Sequence, residues 1–403
     1  MARQWTGLAI IGTTIGAVAL AQPGGFGGGF GQRMQQALAD PFVGLTSDGE
    51  VETGLYSLES TGASTANVRH AAERFLASLS DEQRARTLYP VDDSEWRNWA
   101  NVHLFERQGV SLREMTEIQR ELAYRLIRVG LSERGYRTSR DIMRLNHTIA
   151  EIVDNFDDYG DDLYFFTVMG EPSADEPWGW QLDGHHLIVN YLVVGDQVVM
   201  TPTFMGSEPV RADSGKYEGT VIMQLEQDKA LAFMQSLDNE QRQAAIIAAE
   251  KGRGENQAEM ASDNVVVAFE GLPASRLNSA QRRALIDLIG TYVGQMDDAH
   301  AAIRMEEVMA HLDRTWFAWK GRVEPDGVFY YRVHSPVIYI EFDHQGPVAL
   351  NTPRNIPTRN HIHSVVRTPN GNDYGKDLLR QHLERYAGDA EHGHAEPGSF
   401  AAR

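Results

Sequence analysis

His361 and His363 stand at i and i+2 in Asn360-His361-Ile362-His363-Ser364-Val365-Val366-Arg367. The segment predicts a strand, which puts both imidazoles on one face about one pleat apart. That spacing suits chelation of one ion at metal–nitrogen distances of about 2.0–2.1 Å. Just upstream, Val337-Ile338-Tyr339-Ile340-Glu341-Phe342-Asp343-His344 reads as another strand in which Val337, Tyr339, Glu341 and Asp343 share a face. A carboxylate at Glu341 in so apolar a strand is costly unless it is paired or bound to a cation.

A second pair lies in Trp178-Gly179-Trp180-Gln181-Leu182-Asp183-Gly184-His185-His186-Leu187-Ile188-Val189-Asn190. Read as one strand, it points His185 and His186 to opposite faces, so one of the two becomes a ligand, with His186 favoured because Asn190 shares its side. The metal set expected from sequence is His361, His363 and Glu341 with His185 or His186; the competing reading is a hydrogen-bonded His/Glu cluster. Imidazole and carboxylate suit zinc, with iron or copper as alternatives, and argue against an iron–sulfur cluster or calcium.

Around these groups, Glu208 and Asp343 are the candidate general bases, and Arg332 or Arg367 the candidate clamps for a substrate carboxylate. Tyr330 and Trp180 are the aromatic candidates for substrate contact. For each arginine taken singly, a structural ion pair is the favoured reading. The chain lacks a G-x-S-x-G elbow, an H-E-x-x-H helix and a G-x-x-x-x-G-K-[ST] phosphate loop, so the commonest hydrolase and nucleotide-binding chemistries lose support.

Composition narrows the partners. Among 403 residues there is no cysteine, which removes thiolate ligands, a thiol nucleophile and disulfides. With 37 basic against 56 acidic residues the formal charge is −19, so nucleic acid and stable membrane attachment are not expected. The expected partner is a small molecule.

The elements that must position these residues come in blocks. Val68, Ala72, Phe75, Leu76 and Leu79 form a helical stripe. Start signals then recur at Ser80-x-x-Gln83, Asp238-x-x-Gln241 and Asn278-x-x-Gln281, read either as a duplicated pair of helices joined by a capped turn or as convergent use of a common capping device. A fourth, Ser111-x-x-Glu114, predicts a helix to Ser132 with Met115, Ile118, Leu122, Leu126 and Val129 inward. After Gly160 the period changes from 3.6 to 2. Strands are predicted at 163–169, 178–194, 197–204 and 217–225, with Gly195-Asp196 as a hairpin turn, then helices around 226–250 and a polar loop at 251–262. Helices at 279–298 and 300–312 precede strands near 315–322, 328–334, 337–343 and 361–367, and a last helix runs from Asp373 to Arg385. Strands and helices in blocks predict an α+β fold with a mostly antiparallel sheet, helical hairpins packed on it, and one intertwined domain.

The chain resembles one known family, on Trp180…Gly184-His185-His186, Pro202-x-Phe204-x-Gly206-x-Glu208-Pro209, Tyr330-Tyr331-Arg332, Ile340-Glu341-x-Asp343, His361-x-His363 and Asn372-Asp373-Tyr374-Gly375 with Leu378, Leu379 and His382. In that order these motifs are similar to the bacterial family catalogued as domain of unknown function thirty-five hundred. The resemblance implies one domain over residues 65–385 and brings no assigned activity or catalytic residues.

At the N-terminus, Arg3, the apolar stretch from Trp5 to Leu20 and Ala19-Leu20-Ala21 read as a secretory signal cut after Ala21. Loss of Arg3 takes the charge from −19 to −20. The expected plan is a signal over 1–21, a Gly-rich tether and weakly patterned segment over 22–62, the domain over 63–387 and a flexible tail over 388–403. The expected protein is an exported, periplasmic or extracellular metal-dependent enzyme that hydrolyses a small ester or amide. The alternatives are an iron or copper oxidoreductase and a non-catalytic metal- or ligand-binding protein.

Overall fold

The computed structural model describes residues 29–350 and 353–387. The signal and the tail expected from sequence lie outside the described residues. After α1 (Gly29–Ala39), the first half of the chain runs α2 (Ala66–Ser78), α3 (Asp81–Ala85), β1 (Leu88–Tyr89), β2 (Val110–Ser111), α4 (Glu117–Gly130), α5 (Glu133–Val153), β3 (Tyr164–Met169), β4 (Trp178–Gly184), β5 (Leu187–Val194), β6 (Gln197–Val199) and β7 (Thr203–Ser207). The second half runs α6 (Gln224–Ser236), α7 (Asn239–Ala245), β8 (Ile246–Ala248), β9 (Leu272–Pro273), α8 (Ser279–Val293), α9 (Asp298–Ala310), β10 (Trp316–Gly321), β11 (Phe329–His334), β12 (Tyr339–His344) and β13 (Ile362–Arg367), and α10 (Lys376–Arg385) follows. The fold is α+β. One sheet orders its strands β1-β3-β4-β5-β7-β13-β12-β11-β10-β8, antiparallel except where β1 meets β3 and β8 meets β10.

That order repeats about the β7–β13 seam, and the repeat extends to side chains. Gln83 of the Ser80 capping box accepts from Gln119 Nε2 at 2.8 Å, and the same amide donates to Ser78 O at 2.8 Å. In the second half Gln241 of the Asp238 box accepts from Gln281 Nε2 at 2.7 Å, and that amide donates to Ser236 O at 3.0 Å. The recurring start signals are thus matched clamps between paired helices. Gly109, before β2, has φ +82°, and a Cβ there would come within 2.0 Å of Phe166 O; Gly271, before β9, has φ +93° and the same relation to Phe317 O at 2.2 Å. Only glycine fits a left-handed backbone so close to a neighbouring strand. The β4–β5 hairpin closes on His185-His186, and its counterpart β11–β12 closes on Pro336-Val337, where Ser335 N donates to Ile338 O at 2.9 Å.

Helices cover one face of the sheet around Phe75, Leu126, Phe166, Trp180, Phe317 and Tyr331. The other face packs Ile188, Phe204, Tyr339 and Val365 against Trp96, Trp99, Tyr374 and Leu378. Two local expectations are corrected. Ser111 and Glu114 do exchange hydrogen bonds, but they close a turn; α4 starts at Glu117 under a Thr116–Gln119 box and buries Ala123, Leu126 and Ile127, leaving Ile118 exposed. Residues 217–225 form no strand: a single bridge joins Arg211 to Val221, and α6 begins at Gln224.

Candidate metal centre

Three imidazoles converge where the two halves meet. His361 precedes β13 and His363 lies within it, so both side chains leave the same face. His186 comes from the two-residue turn between β4 and β5, with φ +62°, a left-handed conformation that histidine adopts more readily than most residues. The turn is seated by Asn101 O, which accepts from His186 N at 3.3 Å, and by Gly206 N, which donates to His186 O at 2.9 Å. Gly206 is paired with His363 in the sheet, and a Cβ there would come within 2.4 Å of Ile362 O. No side chain stands between the turn and β13.

The Nε2 atoms form a nearly equilateral triangle. His361 to His363 is 3.0 Å, His186 to His363 is 3.1 Å and His186 to His361 is 3.3 Å. All three residues are buried. A point about 1 Å above the triangle lies about 2.0–2.1 Å from each nitrogen, the bond length of a zinc–imidazole site. These three residues could hold a metal ion.

The other ring nitrogens set the tautomers. His361 Nδ1 faces Gly346 O at 2.9 Å, and a carbonyl can only accept, so this nitrogen carries the proton. His363 Nδ1 faces the Glu259 carboxylate at 2.7 Å and donates likewise. In a neutral ring the proton on Nδ1 leaves Nε2 bare, so the closest pair of the triangle is two lone pairs facing each other at 3.0 Å. A metal ion between them, or a shared proton, relieves that contact. Burial first, and then the charges of neighbouring groups, hold His361 and His186 well below the ordinary imidazole range.

Glu259 is delivered by a strap, residues 251–263, that crosses the sheet. Asp343 accepts from Glu255 N at 2.7 Å, and Glu341 accepts from Gln257 N and Ala258 N at 3.0 Å. Arg367 donates to Ala258 O at 2.7 Å and Glu259 O at 3.1 Å. Asn256 and Asn101 complete the shell of Glu259 at 2.7 and 3.4 Å. Burial pushes its carboxyl up, but the His363 ring and these amides outweigh burial and hold it below the usual range.

The triangle opens onto a cavity of about 270 Å³ whose wall is largely apolar, with Val102, Leu104, Tyr159, Met260 and Val348. His103 shares it, 3.2 Å from the Tyr159 hydroxyl. A family profile described as Protein of unknown function (DUF3500) matches residues 61–376. The chain belongs to that family. No curated protein and no solved structure matches it.

In this DUF3500 member the expected ligands separate. His186, His361 and His363 meet; His185 does not. Because the pair forms a turn and not a strand, the two rings stack at 3.9 Å, and His185 Nδ1 turns away to Asn146 Oδ1 at 2.7 Å. Glu341 is also outside the triangle. Its buried carboxylate is satisfied by the strap and by the Tyr330 hydroxyl at 2.6 Å, so Tyr330 does not face the cavity either.

The other expected roles change for similar reasons. Asp343 is locked to Lys251 Nζ at 2.7 Å, with both side chains buried, and burial pushes its carboxyl up to about 7. Glu208 does line the cavity, but its oxygens accept from Val348 N, Ala349 N and Leu350 N at 3.0–3.2 Å, and Oε2 lies 3.6 Å from His361 Nδ1. It positions the loop whose Gly346 carbonyl orients His361. Arg367 is spent on Asp263 at 2.8 Å, Asp373 at 3.1 Å and the strap, and Arg332 reaches Glu270 at 2.8 Å. Neither is a clamp at the cavity. Trp180 stacks on Tyr191 at 5.2 Å under the helices, on the other face of the sheet.

Sequence reasoning missed Glu259, His103, Tyr159 and Arg253, all brought in by loops. No periodicity marks a loop residue, and the polar run 251–262 offered only its composition.

Proposed function

We propose that the three imidazoles hold one transition-metal ion, zinc by preference, and that the protein is an exported metal-dependent hydrolase of small ester or amide substrates. One observation carries the metal reading: two Nε2 lone pairs fixed 3.0 Å apart by the hydrogen bonds of the opposite ring nitrogens. Three neutral ligands with an open fourth position are the pattern of catalytic zinc, which brings the pKa of a bound water to about 7. The cavity supports the rest of the reading, since it places apolar surface for a substrate beside that position.

In this scheme the water oxygen bonds to the carbonyl carbon, the carbon–oxygen or carbon–nitrogen bond breaks, and the water proton passes through His103 to the leaving group. His103, which lines the cavity with the Tyr159 hydroxyl 3.2 Å from its ring, would be the base, since Glu208 and Asp343 are held by backbone N–H groups and Lys251. Burial holds the His103 pKa below the ordinary imidazole value, so the ring is neutral and able to accept at pH 7.

The deciding experiment is elemental analysis of protein purified without a polyhistidine tag, followed by turnover of an ester and amide panel. About one zinc per chain with hydrolysis that is lost in H363A is expected. Less than a few tenths of an ion per chain would sink the metal reading. Iron or copper, which an all-imidazole set also accepts, would move the protein to oxidation chemistry, and a retained ion with no turnover of any panel member would leave a binding protein.

A further inference from the structure

Among the described residues, Arg253 is the charged side chain on the cavity wall whose end is uncommitted. Glu208 is saturated by backbone N–H groups, and His103 is paired with Tyr159. The guanidinium of Arg253 makes no hydrogen bond or ion pair among the described residues, although the side chain lines the same cavity as the three histidines. Its nearest cationic neighbour in sequence, Lys251, is held by Asp343.

Arg253 is exposed, and its main chain and stem lie against Gly346. Its carbonyl accepts from Gly346 N at 2.7 Å, and its stem lies so close to that glycine that a Cβ at 346 would come within 2.5 Å of Arg253 Cγ. The residue that pins the stem is the one whose carbonyl orients His361. An arginine with a held stem and a free fork beside apolar wall is suited to bidentate capture of a carboxylate.

We infer that the substrate is a small carboxylate-bearing acyl compound, with its carboxylate on Arg253, its apolar body along Val102, Leu104 and Met260, and its reacting carbonyl at the three-histidine centre. This rests on the metal-hydrolase reading for the last of those contacts only.

The test is calorimetric binding of N-acetylleucine and its neutral counterpart N-acetylleucinamide to zinc-loaded protein, in the native chain and in Arg253→Gln, with zinc content measured in both. The acid should bind at least tenfold more tightly than the amide, and R253Q should bring the two within about twofold while zinc content stays unchanged. An acid preference that survives in R253Q would put the carboxylate on the ion and overturn the inference, as would equal binding of the two compounds to the native chain. If the protein holds no zinc yet the acid preference is present and falls in R253Q, the metal reading fails and the anion site stands.

Discussion

Glu259 Oε1 lies 2.7 Å from His363 Nδ1, and the strap that carries Glu259 is held by three buried side chains of the second half, Glu341, Asp343 and Arg367. A carboxylate behind a ligating imidazole fixes the tautomer and raises the basicity of the ligating nitrogen. Glu259→Gln keeps an acceptor in place and removes the charge. Zinc affinity, measured by competition with a chromophoric chelator, should fall by about 10- to 100-fold with an unchanged circular dichroism spectrum. A change of less than twofold would remove Glu259 from the site.

Binding to the folded chain alone must also stabilise it. At free zinc a thousandfold above its dissociation constant the gain is about 4 kcal/mol. Calorimetric unfolding should therefore move up by several degrees between chelator-treated and zinc-loaded protein, and H361A should abolish the shift. Equal transitions with and without zinc would mean that the ion does not bind the native fold.

Arg367 answers to a different measurement. Removing it leaves Asp373 buried without its cation and weakens the hold on Asp263, so R367M should lose about 3 to 5 kcal/mol in denaturant unfolding. It should also weaken zinc binding, because the carbonyls of Ala258 and Glu259 lose their donor. A residue that merely clamped substrate would change the Michaelis constant and leave the denaturation midpoint alone.

Acid sensitivity follows from His344. Its Nδ1 accepts from Phe329 N at 3.0 Å and its Nε2 faces Gln227 Oε1 at the same distance, so the ring is neutral in the fold. Burial, followed by the charges of Arg359 and Lys251, holds its pKa well below the ordinary value. The unfolded ring takes up a proton as pH falls through about 6.5 while the folded ring does not, so stability drops by about 1.4 kcal/mol per pH unit below that point. H344N keeps an acceptor for Phe329 N; its acid limb should be shallower by one proton, whatever its absolute stability. Parallel limbs for the two proteins would show that His344 does not titrate as stated.

Export makes a prediction that is independent of the site. Expressed with its full N-terminus in a bacterial host, the protein should be recovered outside the cytoplasm with Gln22 as its first residue. N-terminal sequencing that returns Met1 or Ala2 would remove that expectation.

The sheet and its helices were legible because their signals are periodic. The alternation through His361 and His363 and the stripe from Val68 to Leu79 each encode one face. The capping boxes at Ser80, Asp238 and Asn278 encode helix starts. Glu341 misled for a physical reason: a buried carboxylate does need compensation, and here backbone N–H groups of the strap and a tyrosine hydroxyl supply it in place of a cation. Arg367 misled in the same way, with Asp263 and Asp373 as its partners. The turn at His185-His186 was hidden because a two-residue turn and a continuous strand have the same apolar flanks, Trp178 to Leu182 and Leu187 to Val194, although His186 was still the favoured ligand of the two. Glu259 and Arg253 carried no signal at all, since their positions depend on what pins the strap from beneath.

The two hairpins of the repeat amount to an experiment already performed by the chain. At the tip of β11–β12, Pro336-Val337 closes the turn with apolar side chains, and the sheet around it is as complete as the sheet around His185-His186. The scaffold therefore does not need imidazole at a hairpin tip in order to fold. Histidine at one tip and none at the other separates what the architecture requires from what the three-imidazole cluster requires.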